Sequence, residues 1–445
     1  MRTTKNNEHK KLNVPNKQEQ NQICLDSAER EGLSTKGNVP NLRFPEFQEE
    51  WEESTIGEEF DLYSGNTPSR LNKEHFNGAI NWISSGELKE HYIADTKEKI
   101  SDEAAKTLKM LPIGTFVIAI YGLEADGVRG TGSITKTEAT ISQACMAFTS
   151  KGKVQNEFLY SWYKKHGNVI GIRYAQGTKQ QNLCYDIIEK FKIAYPTFQE
   201  QEKLNKFIAL LDERIATQNK IIEDLKKLKS AIIEKVFCSP NKKNPMCRIE
   251  GFEQALSTYK MCDFSSRIAT KNKDSKCSLV LTIAAQYGLV NQESFFNKSV
   301  ASENLTGYYL LHKGEFAYNR SYSAGYDWGA VKRLDNYDEG VLSTLYICFK
   351  INETIVDSDY LAYYFESTKW HRGLSDIAGE GARNHGLLNV SITDYFNTKH
   401  RFPVIEEQKA IAKMLNTITE KERKATLLGE CYQKQKQYLL RQMFI

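Results

Sequence analysis

Between Tyr195 and Phe237 the chain reads YPTFQEQEKLNKFIALLDERIATQNKIIEDLKKLKSAIIEKVF, and after Pro196 no glycine or proline appears until Pro240. Proline is well tolerated where a helix starts, because the N–H it lacks has no intrahelical partner there. Apolar residues recur at alternating steps of four and three: Leu204, Ile208, Leu211, Ile215, Ile222, Leu225, Ile232 and Val236. Only Gln218 and Lys229 break this heptad seam. At 1.5 Å per residue the tract from Glu200 to Phe237 spans roughly 57 Å. A helix so long cannot bury its stripe against itself. It needs a partner.

The C-terminus supplies one. Phe402 to Phe444 reads FPVIEEQKAIAKMLNTITEKERKATLLGECYQKQKQYLLRQMF, and a shift of 207 lays the two 43-residue tracts together without a gap, with nine identities. Pro196, Glu200, Gln201, Lys206 and Phe237 meet Pro403, Glu407, Gln408, Lys413 and Phe444. The seam keeps its register through Ile411, Leu415, Ile418, Ala425, Tyr432, Leu439 and Met443, and Lys436 repeats Lys229. Gly429 costs about 1 kcal/mol relative to alanine inside a helix, so the second helix should be the weaker. The other reading is two unrelated amphipathic helices, each packed on its own domain. A period near 200 fits no solenoid unit and points to a duplicated domain-plus-helix.

A chain of 445 residues allows two or three domains, and 40% hydrophobic with 26% charged residues is a globular composition. The net charge of only +4 confines any nucleic-acid surface to a local face. Nine cysteines without a C-x-x-C pair suggest neither zinc nor a disulfide framework. No apolar run approaches ~18 residues and no signal peptide is evident, so a cytoplasmic protein away from membranes is expected.

In chain order, residues 1–40 are polar and read as a disordered extension. A mixed α/β domain is expected over 41–197, a central helix over 198–240, a second domain over 241–402 and a C-terminal helix over 403–445. In the first domain Ala79–Leu88 reads as a short buried strand, Ile113–Gly122 as the clearest strand, Ala139–Ser150 as another, and Asn156–Lys165 as an amphipathic helix. The second half replays the order. Gly314 follows Gly114 by 200 residues, Ser343 follows Ser142 by 201, and Leu361 follows Leu159 by 202. Glu339–Ile351 stands where Ala139–Ser150 stood. Side chains between these anchors differ freely, as one body plan reading two targets would require.

The tracts NVPNLRFPEF, SGNTPSR, INWISSGEL and GTKQQNL, with the repeated P-x-x-x-E-Q at the head of each long helix, resemble a specificity subunit of a type I restriction-modification system. The resemblance covers the chain from about residue 40 onward. It implies an α+β fold: two pseudo-symmetric mixed α/β target recognition domains separated by two long helices that form an antiparallel coiled coil. Each domain would read one half of a bipartite site in double-stranded DNA. The paired helices would set the spacing and dock two modification (methyltransferase) subunits, joined by ATP-dependent restriction subunits. S-adenosylmethionine, ATP and Mg would then belong to those partners, with no cofactor or metal in this chain.

The residues agree with a chain that recognises and does no chemistry. There is no G-x-x-x-x-G-K-[ST] phosphate cradle, and the Gly130–Gly132 run lacks a third glycine. All nine prolines are isolated, which rules out an Asn-Pro-Pro methyltransferase tract. Glu87-Leu88-Lys89 has a nuclease-like E-x-K spacing, but such triplets arise by chance. From Glu200 to Phe237 eight basic residues face seven acidic ones, so the helix suits protein packing better than DNA. A coiled-coil protein–protein adaptor without nucleic acid is the rival reading. A specificity part fused within a single-chain restriction enzyme is disfavoured by the missing catalytic tracts.

Base readout needs paired donors and acceptors on loops between rigid elements. First-domain candidates are Asn66, Thr67, Ser69, Arg70, Ser84, Ser85, Tyr121, Arg129, Lys179, Gln180, Gln181 and Asn182. In the second domain they are Gln286, Tyr287, Asn319, Arg320, Tyr322, Tyr326, Arg383, Asn384 and His385. The KQQN run could instead be a solvated loop capping the next helix, and the aromatic loop Ser321–Trp328 could pack back on the core.

Overall fold

The two heptad tracts form the longest helices of the chain, a central helix at Phe198–Val236 and a C-terminal helix at Ile405–Met443. The computed structural model describes residues 37–125, 127–177, 180–298, 304–321, 325–377, 383–384, 387–388 and 390–445; residues 1–36 of the expected extension lie outside them. The chain divides into two compact units. The first runs up to Ile215 and is completed by Cys431–Ile445; the second is Ala216–Glu430. The boundary falls inside both long helices, so each unit holds part of each.

The first unit is built on a five-stranded sheet, in the order Phe60–Ser64, Cys145–Ser150, Phe116–Ala119, Gly132–Thr135, Tyr92–Ile93. Phe116–Ala119 is buried on both faces, which is why it reads as an unbroken apolar run. Ile80–Ile83 lies between Lys99–Ile100 and Ala139–Ile141 in a smaller sheet. The tract expected as one strand over Ala139–Ser150 is therefore two strands in two sheets. Ser142 breaks it: its carbonyl accepts from Cys145 N–H at 3.0 Å and its hydroxyl from Ala144 N–H at 3.3 Å, a serine-led turn. The amphipathic helix runs further than expected, Asn156–Tyr174, and buries Phe158, Leu159, Trp162 and Tyr163.

The second unit repeats four of the five strands: Ser265–Arg267, Ile347–Ile351, Phe316–Asn319, Ala330–Arg333. Glu339–Ile351 is likewise split, into Glu339–Leu342 and Ile347–Ile351, with Tyr346 N–H donating to Ser343 O at 3.2 Å. A short antiparallel ribbon precedes the long helix in both units: Glu52–Thr55 with Lys192–Tyr195, and Ser257–Lys260 with Lys399–Phe402.

The repeated Glu-Gln pair is explained by its contacts. Glu200 accepts two hydrogen bonds from Arg43 at 2.8 and 2.6 Å, and Glu407 is gripped by Arg248 at 2.7 Å. Gln201 donates to the carbonyls of Pro196 and Lys153 (2.9 Å each) and accepts from Gln155 N–H. Gln408 does the same with Pro403, Ile355 and Asp357 N–H. Each glutamine thus fixes the head of a long helix to its globular body.

Seam positions are buried or half-buried along both helices. The polar ones are used. In the second unit Gln218 Nε2 donates to Ala425 O at 2.9 Å and Lys229 pairs with Glu422 at 3.0 Å. In the first, Lys436 pairs with Asp212 and Arg214 lies over the Tyr432 ring. Partners climb one helix while descending the other, so within each unit the helices run antiparallel. Gln218 and Ala425 are equivalent positions of the duplication, and they meet.

Candidate nucleic-acid interface

Several strand ends of the first unit converge on one rim. Gly65 N–H donates to Cys145 O, Asn66 N–H to Ile141 O, Ser142 N–H to Ile83 O, Ile120 N–H to Ala144 O, and Leu183 N–H to Ile120 O, all at 2.9–3.1 Å. These backbone bonds bring together the SGNTPSR turn, Ser84–Ser85, Tyr121 and the Gln181–Asn182 loop. Gly65 is required there, since a Cβ would sit 2.3 Å from the carbonyl oxygens of Ile141 and Ser142.

Within this rim the candidates fall into two clusters. Arg129 Nη2 donates to Gln181 Oε1 at 2.7 Å, and Gln181 N–H donates to Glu124 Oε2 at 2.8 Å. That backbone bond holds the Glu124 carboxyl below the usual range. The Arg129 stem crosses the helix at Gly171, where a Cβ would approach its Cγ to 2.5 Å, and its Nε is buried without a hydrogen-bond partner. Asn182 bridges to Tyr121 and Gln176, while Gln180 stands exposed. In the other cluster Arg70 forms two bonds to Glu98 (2.9 and 2.8 Å) and lies over the rings of Phe76 and Trp82. This ion pair is exposed and so contributes little to stability. Asn66 Oδ1 accepts from Thr67 N–H, Ser69 is exposed, and Ser85 is half-buried. Ser84 donates its hydroxyl to Glu87, with which it forms a capping box.

The second unit repeats one of these bonds with different side chains around it. Leu388 N–H donates to Arg320 O at 3.0 Å, as Leu183 N–H does to Ile120 O. Arg320 ties two loops through the carbonyls of Val390 (3.1 Å) and Leu345 (3.3 Å). Asn319 Oδ1 accepts from Ser321 N–H. Gln286 and Tyr287 occupy the turn of the Leu281–Asn291 hairpin, with Tyr287 68% exposed, and Tyr326 is half-buried against the core. Arg383–Asn384 pairs with Leu387–Leu388 as a two-stranded ribbon. Lys179, Tyr322 and His385 lie outside the described residues, as do the side chains of Arg383 and Asn384.

Sequence reasoning passed over Glu124, although a carboxylate beside a glycine-rich loop rich in amides was a usable signal. It also passed over the exposed pair Phe295 and Phe296, which stack edge-on at 5.0 Å near Tyr287. Among the described residues no group of three or more His, Cys, Asp or Glu is placed to hold a metal ion, and no helix is long and apolar enough to cross a membrane.

The type I restriction modification DNA specificity domain matches residues 48–227. A specificity subunit of the type I restriction enzyme MjaIX from Methanocaldococcus jannaschii is 25% identical over 194 residues, 42% of this chain and 44% of that protein, so the match spans under half of that relative's length. The MjaVIII specificity subunit of the same organism is 23% identical over 398 residues, 85% of this chain and 87% of the relative. The crystal structure of a type I restriction-modification S subunit from M. genitalium aligns with 92% of this chain and 99% of its own, at TM-score 0.54 and 16% identity. A chain from a study of type I restriction-modification complex assembly aligns with 88% and 96%, at TM-score 0.51 and 13% identity. The last two likenesses concern the fold.

Proposed function

We infer from the matched domain and the relatives that this chain is a type I restriction-modification specificity subunit, and we propose that it reads a bipartite sequence in double-stranded DNA, one half with each unit. One observation supports this reading above others. Both units set polar side chains around a like backbone bond, Leu183 N–H to Ile120 O in one and Leu388 N–H to Arg320 O in the other, with Arg129, Gln181 and Asn182 beside the first and Asn319 and Arg320 beside the second. A common scaffold with unlike polar side chains is what two different half-sites demand. The paired helices form one antiparallel coiled coil that sets the gap between half-sites and carries two modification subunits; restriction subunits complete the complex. Methyl transfer with S-adenosylmethionine, and ATP- and Mg-dependent cleavage, belong to those partners, while this chain positions the DNA. The adaptor reading leaves the match to a DNA specificity domain without a role.

Methylation mapping of host DNA defines the two half-sites. Replacing Gln180, Gln181 and Asn182 with alanine in the assembled complex should relax one half only, at about 1–3 kcal/mol per lost base contact. Arg320→Ala should relax the other. Equal loss at both halves, or at neither, would overturn the assignment of the rims.

A further inference from the structure

The side chain of His91 is buried in the first unit, and its ring is sandwiched between Tyr92 (4.1 Å, planes 5° apart) and Tyr160 (4.0 Å, 1° apart). Its Nε2 lies 2.8 Å from Glu157 Oε2 and its Nδ1 2.9 Å from Asp212 Oδ2, the second contact too far off line for a directed hydrogen bond. Asp212 is also paired with Lys436. One imidazole therefore joins a loop of the recognition body, the helix Asn156–Tyr174, the central helix and, through Asp212, the C-terminal helix. A neutral imidazole has one N–H and one lone pair, so it can satisfy only one of two carboxylates. The imidazolium hydrogen-bonds Glu157 and forms an ion pair with Asp212.

The surrounding charges favour that state. Burial works against the imidazolium, yet Asp212 and Glu157 outweigh it and the His91 pKa lies above the ordinary histidine value. Two cations face the site. Lys436 neutralises Asp212, and Lys164 lies over the Tyr160 ring with its pKa lowered to about 8 by burial and by Lys436. Glu90 adds negative charge on the His91 loop, and Lys136 covers the outer face of Tyr92. At the matching place in the second unit no histidine is used. Asp359 stands where Glu157 does and binds Arg333 and Asn416, both at 2.7 Å, while Tyr363 holds Asn416 and Thr419. Those partners do not titrate near neutrality.

We propose that His91 is a proton-dependent positioning residue: as an imidazolium it clasps the first recognition body to both long helices, and its deprotonation loosens that seat, so that the first half-site is read less faithfully at alkaline pH and the second is not. The DNA part rests on the recognition reading above; the clasp itself does not.

The full chain with 13C-labelled histidine separates the two. The His91 Cε1 resonance, assigned by its loss in His91→Gln, should titrate with a midpoint above the ~6.5 of a free histidine. In Asp212→Asn a single carboxylate remains and the midpoint should fall, moving down the pH axis by one for every tenfold loss of proton affinity. A midpoint at or below ~6.5 in the unaltered chain overturns the clasp. In the complex with modification subunits, methylation of sites mismatched in one half should lose discrimination at the first half as pH rises through the measured His91 midpoint, and Asp212→Asn should flatten that loss. Discrimination that falls equally at both halves, or at neither, overturns the functional consequence. A raised midpoint with no half-site readout at all supports the clasp and overturns the recognition reading beneath it.

Discussion

The first unit closes its core on Leu440, Met443 and Phe444, at the end of the C-terminal helix; the second closes on Ile233, Val236 and Phe237, at the end of the central helix. Phe444 packs against Phe158 at 5.3 Å, and Phe237 against Tyr360 at 5.0 Å and Tyr364 at 5.7 Å. Each globular body thus receives the head of the helix that follows it and the tail of the other. The arginine–glutamate and glutamine clamps are duplicated nearly atom for atom. What differs is the polar join between body and helices (titratable in the first unit, through His91, and not in the second) and the rim. Duplicated residues hold geometry, and the diverged ones are those to which the proposed reading of DNA is assigned.

The largest effects should come from the helix tails. Phe444→Ala removes a fully buried ring and should cost about 3–5 kcal/mol, with Phe237→Ala costing a similar amount. Hydrogen exchange resolved by peptide checks where the loss falls. Phe444→Ala should raise exchange in Phe116–Ala119 and Asn156–Tyr174, and Phe237→Ala in Phe316–Asn319 and Ser358–Tyr364. If either variant opens both sets equally, the two cores are not separate.

Acidification should discriminate between the units next. His400 of the second unit is buried, with Nδ1 against Tyr364 OH at 3.1 Å and Nε2 against Thr398 Oγ1 at 2.9 Å. Burial lowers its pKa to about 3, so the folded ring stays neutral. The unfolded chain takes up a proton near pH 6.5 and the folded one does not, so stability falls as pH drops below that value, by up to about 1.4 kcal/mol per pH unit. Burial of His371 acts in the same direction. In the first unit His91 acts the opposite way, its contribution being present below pH ~6.5 and lost as pH rises through its raised pKa. His166 there, lowered to about 4 by burial and by Lys165, offsets part of that gain. Denaturant unfolding between pH 7 and 5 should therefore show the second unit weakening more steeply, and His400→Gln should flatten its slope.

These contrasts mark how far the sequence could be read. The long helices, their register and the equivalence of Glu200 with Glu407 were legible, because a heptad seam and a gapless 207-residue shift are properties of the chain alone. The turn at Ser142 was not, because the run ATISQACMAF is apolar enough to pass for one strand; only the competing partners Ile80–Ile83 and Phe116–Ala119 divide it. Gln218 and Lys229 looked like defects until their partners Ala425 and Glu422, some 200 residues away, were in place. The rim candidates were found by residue type, but type could not foresee that Ser84 caps a turn or that Arg320 ties Leu345 to Val390. His91 carried no signal at all, since its meaning lies in Glu157 and Asp212.

The smallest effect concerns the seam itself. Gly429 is expected to weaken the C-terminal helix, and it lies inside that helix, which runs from Ile405 to Met443. A Cβ at Gly429 would lie 3.5 Å from Ile222 Cδ1 and 3.6 Å from Gln218 Cγ, ordinary contact distances. Alanine therefore fits without displacing the partner helix, lowers the backbone entropy of the unfolded chain and adds apolar contact. Gly429→Ala should stabilise the second unit by about 1 kcal/mol, read as a higher denaturant midpoint at unchanged slope. Valine should do worse, because its branched carbons need space that Ile222 and Gln218 occupy and its rotamers are restricted in a helix. A stabilisation by valine equal to that by alanine would mean the helices have room to separate at this point, beside the bond from Gln218 to Ala425.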